Sequence, residues 1–95
     1  MGLQDDAAQL LADALRKRHL TTRVGHGLNP SVTILDYPNA VVTFTVDGLG
    51  GLVTKFMFDG RPLQYLDFMP TAAGAHALAE FILNQIAGDG GGTSA

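Results

Sequence analysis

The feature that most constrains this chain is its hydrophobic pattern, which changes from helical spacing to strand spacing and back. Apolar residues recur every three or four positions from Leu3 to Leu15. Over residues 40–58 they alternate with other residues, and from Leu78 to Ile86 the helical spacing returns. Because side chains repeat every 3.6 residues in a helix and every two in a strand, this order predicts a helix, several strands and a second helix.

The boundaries of these elements follow from charges and turn residues. The first helix is expected over residues 3–19, with acidic residues in its first turn and basic residues in its last, as the helix dipole favours. The second helix is expected to begin after an N-cap at Thr71 and to end at Ala87, before Gly88. Turn residues delimit the expected strands, which are 21–26, 31–36, 40–47, 52–58 and, as a weaker strand or extended arm, 63–68.

Together these elements predict one α+β domain over residues 1–88, followed by a disordered glycine-rich tail over residues 89–95. An antiparallel sheet of three to five strands would carry both helices on one face, in the order α-β-β-β(-β)-α. The two periodicities also predict which side chains meet in the core: Val42, Phe44, Val46, Phe56 and Phe58 from the sheet, and Leu11, Leu15, Leu78, Ile82 and Ile86 from the helices.

Composition narrows the class of protein. The 95 residues carry a net charge of −3, and this acidic balance disfavours nucleic acid as a partner because phosphate binding needs a basic surface. With no cysteine, disulfides, thiolate metal sites and thiol nucleophiles are excluded, and a cytoplasmic location is expected. No apolar run reaches the length of about 18 residues that a membrane span needs, and Asp5 and Asp6 stand where a signal peptide would be basic.

The sequence contains no recognisable catalytic or metal-binding pattern. The three histidines include no pair at the i, i+4 spacing of a helical metal site. The glycines of residues 48–51 join two expected strands, whereas a phosphate-binding loop leads from a strand into a helix. We therefore expect no enzymatic activity, no cofactor and no metal.

Surplus apolar surface provides the main functional indication. Charged residues make up 16% of the chain, below the roughly 25% of typical soluble domains. On the second helix, Ala77 and Phe81 lie outside the stripe that faces the core, so this helix is apolar on more than one side. The second face of the expected sheet is also partly apolar, and its members are Val41, Thr43, Val53 and Met57.

These surfaces predict a small non-catalytic protein-interaction module, of a regulatory, adaptor or chaperone-like kind. We expect it to pair with its own copy as a symmetric homodimer and to bind another protein, because one patch covers its own copy in a two-fold dimer. An alternative is a small-molecule-binding protein or minor enzyme with a pocket near His26, Tyr65 and Asp67. A third is nucleic-acid binding through the basic residues Arg16, Lys17, Arg18 and Arg23.

Overall fold

Two helices lie on one face of a five-stranded antiparallel sheet in the computed structural model, which describes residues 2–91. The elements in chain order are α1 (Leu3–Arg16), β1 (Thr22–Gly25), β2 (Ser31–Ile34), β3 (Ala40–Val46), β4 (Leu52–Met57), β5 (Gln64–Leu66) and α2 (Ala72–Gly91). The strands form a meander in which each pairs antiparallel with the next, in the order β1-β2-β3-β4-β5. The predicted α+β class and element order are confirmed, and the weak segment 63–68 contains β5.

The hydrophobic core lies between the sheet and the helices. Phe44 and Phe56 are buried as predicted, and the Phe44 ring lies 5.7 Å from that of Phe68, measured between centroids. Val46 is 42% exposed, so its predicted place in the core is wrong; it is the last residue of β3. Phe58 is only partly buried, just beyond β4. The buried cluster also contains the other predicted core residues, Val42, Leu11, Leu15, Leu78, Ile82 and Ile86.

Helix α1 ends earlier than predicted, at Arg16 rather than at residue 19. His19 adopts a left-handed conformation with φ 66°, and its amide donates to the carbonyl oxygen of Arg16 at 2.9 Å. The amide of Leu20 donates back to the carbonyl oxygen of Leu15 at 3.2 Å. This pair of bonds is a Schellman motif, which glycine or asparagine normally forms, so a histidine there gave no stop signal.

Helix α2 begins as predicted but continues further. The amide of Gly74 donates to the Thr71 side-chain oxygen at 3.0 Å, which confirms Thr71 as the N-cap. The helix continues through Gly91 instead of ending at Ala87. A glycine costs only about 1 kcal/mol relative to alanine inside a helix, so Gly88 did not have to end it. Residues 89–91 thus belong to α2, and the predicted disorder of residues 92–95 lies outside the described residues.

The two helices cover the sheet unevenly. Helix α1 lies over β1, β2 and β3, while α2 packs alongside α1. Arg18, just after α1, contacts α2 directly. Its guanidinium lies 3.1 Å from His76 Nδ1 and 3.6 Å from Glu80 Oε2, and both residues belong to α2. The space over β4 and β5, on the far side of α2, is consequently less well filled.

Candidate interaction site

An open groove runs between α2 and the β5 edge of the sheet, with a volume of about 710 Å³. Its lining is mostly apolar and consists of Leu52, Tyr65, Leu66, Asp67, Phe68, Met69, Gly74, Ala77, Leu78 and Phe81. The groove exists because the sheet is wider than the two helices that cover it. Five strands span about 19 Å between the outermost strand axes, whereas packed helices lie about 8–10 Å apart. With α1 placed over β1 to β3, two helices do not reach the β5 edge.

Large apolar side chains are exposed along this groove. Phe81 is 43% exposed and Ala77 is also exposed, and the two line the same wall. The sequence pattern had singled out both as lying outside the core-facing stripe of the helix. On the opposite side, Met69 is 67% exposed. Tyr65 also borders the groove, but its side chain, 69% exposed, lies on the open face of the sheet beside Lys55. Leu63, just before β5, is a further exposed apolar residue at this edge.

Sequence reasoning missed Met69 as a member of this surface. The only signal was the weakly alternating segment 63–69, in which Gln64 and Asp67 interrupt the apolar residues and which fits an edge strand or an extended arm equally well. Its position depends on the turn after it, in which the Thr71 amide donates to the carbonyl oxygen of Met69 at 2.7 Å. This three-residue turn sets the first turn of α2 directly against Met69.

Gly74 fits this close approach because it has no side chain. A Cβ atom at Gly74 would overlap the carbonyl oxygen of Met69 and would lie 2.9 Å from its carbonyl carbon. The end of the groove is therefore fixed by backbone packed against backbone, which favours a rigid shape over a collapsible one.

The second predicted surface lies on the opposite face of the sheet from the helices. Val41 pairs with Met57, and Thr43 with Lys55, so Val41, Thr43, Val53 and Met57 share this open face. At the outward positions of the described strands, the charged residues are Arg23 and Lys55, both basic. The Lys55 ammonium lies 5.9 Å from the Tyr65 ring centroid, within cation–π range.

The three residues of the predicted ligand pocket do not come together. His26 follows β1 and lies at one edge of the sheet, with its Nδ1 atom 3.9 Å from Asp5 Oδ1. Tyr65 and Asp67 lie at the opposite edge, about 19 Å away across five strands. Only Tyr65 and Asp67 line the groove, and Asp67 is the one charged residue in its described lining.

The basic residues are likewise divided. Arg16 lies 3.3 Å from Asp13, an ion pair on the surface of α1. Arg18 is committed to His76 and Glu80 of α2. Arg23 lies in β1 with its side chain on the open face of the sheet. The predicted basic cluster, which also includes Lys17, is therefore split between different surfaces of the fold.

Metal sites, membrane-spanning helices and similarity to known proteins offer no further functional indication in the described part of the chain. Residues 2–91 include no group of three or more histidine, aspartate or glutamate side chains placed to hold a metal ion. Neither helix, as described, has the length and hydrophobicity of a membrane span. Comparison of the chain with protein-family models, with curated proteins and with solved structures found no significant match.

Proposed function

We propose that this protein is a small non-catalytic interaction module, regulatory, adaptor or chaperone-like, that works as a homodimer in the cytoplasm. The observation that carries the proposal is the apolar groove between α2 and β5, with Phe81 and Met69 exposed along it and Tyr65 exposed at the same edge of the sheet. Large contiguous apolar surface is unusual on a monomer and marks sites of protein contact.

The groove suits a protein surface because of its shape and its chemistry. It is open along one side, and its floor reaches Leu78, which belongs to the hydrophobic core. An apolar side chain inserted from a partner would extend that core, in the way that aromatic and aliphatic anchors do at the centre of interfaces. Phe81 and Met69 provide such anchors on the same surface as the groove.

A second copy of the chain is the partner that the charges favour. A two-fold dimer pairs one patch with itself, and the only charged residue in the described groove lining is Asp67. On the open sheet face the charged groups are Arg23 and Lys55, so face-to-face pairing of two copies would bring four cations together without an acidic group from that face. Like charges at an interface disfavour association. The groove side is therefore the better candidate for self-association.

Light scattering at micromolar concentration tests the proposal. We expect twice the chain mass for the wild type, since two-fold pairing doubles it. Phe81→Glu should give the single-chain mass while keeping a normal unfolding transition, because this side chain is not part of the buried core. Val53→Glu, on the open face, is the matched control and should stay dimeric. A wild type that is monomeric at every concentration, or dissociation by Val53→Glu alone, would contradict the proposal.

A second candidate function is binding of a small apolar molecule that carries an amine. Its support is the groove volume of about 710 Å³, within the range of about 300–1,000 Å³ typical of ligand sites, with Tyr65 and Asp67 at the groove. Alkylamines of increasing chain length should then raise the unfolding temperature of a monomeric protein, and Asp67→Asn should reduce this shift. No shift with any chain length would remove this candidate.

A further inference from the structure

We propose that the two copies pair edge to edge through β5. The two β5 strands would run antiparallel about a two-fold axis at Tyr65, so that the two five-stranded sheets join into a single sheet of ten strands. This inference rests on the proposed homodimer and adds its geometry. The helices of both copies would lie on the same side of the joined sheet, with the two grooves facing each other across the join. Phe81 and Met69 of both copies would fill the shared space.

The outer edge of β5 is available for such pairing. β5 is the last strand of the sheet and pairs with β4 on one side only. The backbone groups on the free side of an edge strand are a ready template for another strand. With only three residues, Gln64–Leu66, β5 forms few backbone hydrogen bonds across a join. Edge pairing of this length therefore needs apolar side chains beside it, and the groove provides them.

Charge distinguishes the two edges of the sheet. At the other edge, β1 carries Arg23, and two-fold antiparallel pairing of β1 with its copy would set the two Arg23 side chains opposite or diagonal to one another. Like charges at these positions are destabilising. β5 itself has no charged residue. With the axis at Tyr65, Asp67 of one copy lies opposite Leu63 of the other. The two Asp67 residues are then four strand positions apart, about 14 Å. This distance exceeds the screening length of about 8 Å at physiological salt, so their mutual repulsion is weak.

The exposed apolar side chains at this edge supply about half of the area that a standard interface buries. The exposed parts of Leu63, Tyr65, Met69 and Phe81 together amount to roughly 450 Å² per copy, judged from their exposed fractions and the usual size of such side chains. A standard interface buries about 800 Å² per partner. The groove walls and the paired backbone of β5 supply surface toward the remainder, so this edge approaches the size of an ordinary specific interface.

Cysteine trapping tests the geometry cleanly because the chain has no cysteine of its own. In the proposed dimer the two Tyr65 side chains are directly opposite, with Cβ atoms about 4.5–5.5 Å apart, so Tyr65→Cys should form a covalent dimer on mild oxidation. Met57→Cys is the matched control. It is exposed and lies on the same face but one strand further in, level with Leu63, which places it about 20 Å from its copy across the join, too far for a disulfide.

Cross-linking between two different cysteine variants leaves Tyr65 in place and tests the register of the two β5 strands. Leu63 of one copy lies opposite Asp67 of the other, so equimolar Leu63→Cys and Asp67→Cys should cross-link to each other several-fold more than either does to itself. Each variant is first checked for a normal unfolding transition under reducing conditions. A mass tag on one of the two variants separates mixed from self-linked dimers on a gel.

The outcomes separate this inference from the function on which it rests. Suppose that the wild type has doubled mass and that Met57→Cys cross-links, while neither Tyr65→Cys nor the mixed pair does. This result would overturn edge pairing but would leave the homodimer standing. Doubled mass lost in Phe81→Glu, with no cross-link at any of these positions, would again overturn edge pairing alone. A monomeric wild type would overturn both.

Discussion

Gly74→Ala is expected to destabilise the protein, although glycine to alanine normally stabilises a helix. The added Cβ would overlap the Met69 carbonyl oxygen and lie 2.9 Å from the carbonyl carbon, closer than real Cβ atoms come. Both atoms belong to backbone held by the Thr71-to-Met69 hydrogen bond, so neither can rotate away as a side-chain tip would. The first turn of α2 or the Met69 segment must therefore shift.

The magnitude follows from two opposing effects. Overpacking of this kind costs about 1–3 kcal/mol, and alanine returns up to about 1 kcal/mol of helix propensity. We expect a net loss of about 1–2 kcal/mol in the free energy of unfolding. For a domain of this size that corresponds to a fall of roughly 4–16 °C in the unfolding temperature.

Thermal unfolding at a fixed protein concentration measures this loss, since the unfolding temperature of a dimer depends on concentration. Ala73→Gly, at the neighbouring exposed position of the same helical turn, is the matched control for propensity. It should cost no more than about 1 kcal/mol. If Gly74→Ala instead raised the unfolding temperature, the close approach of Met69 to α2 would be refuted, and with it the described shape of the groove.

Three further predictions concern the core and the C-terminus. Phe44→Ala should cost about 3–5 kcal/mol, measured by chemical denaturation, because the ring is fully buried; near-wild-type stability would mean that the core is described wrongly. Val42→Thr should cost about 1–3 kcal/mol through an unsatisfied buried hydroxyl, whereas Val46→Thr should stay within about 0.5 kcal/mol; equal effects would contradict the different burial of the two residues. Truncation after Ala87 removes no apolar side chain larger than that of Ala95 and should leave the unfolding temperature within a degree or two, and a fall of several degrees would show that the removed segment contributes to folding.

Alternating and helical spacing made the fold predictable because both are local properties of the sequence. The buried face of β3 followed directly from the alternation of Val42 and Phe44, and the start of α2 from Thr71. The predictions that failed concern the ends of elements, where tertiary position decides. Val46 has the same alternation as Phe44 but lies at the end of its strand, and His19 ends α1 through a backbone conformation that its residue type does not signal.

The candidate site was only half predictable for a related reason. The surplus apolar residues Ala77 and Phe81 were visible from the helical pattern of α2 alone. The groove itself was not visible, because it depends on how two helices are distributed over five strands, and that depends on long-range packing such as that of α1 against α2 and against β1 to β3. The same dependence explains why His26 and Tyr65, both plausible ligand contacts by residue type, lie at opposite edges of the sheet.

Association of this chain with its own copy through the groove between α2 and β5 is a proposal that can be mapped residue by residue. A dilution series followed by ¹⁵N–¹H correlation NMR tests it most directly, because the amide signals report which residues sense the partner. Dilution from high to low micromolar concentration should shift or broaden signals of residues 63–69 and 74–81, and should leave those of residues 41–45 and 53–57 nearly unchanged except where they adjoin β5. Spectra that do not change with concentration in a protein of single-chain mass, or changes centred on Val41, Thr43 and Val53, would contradict association through the groove.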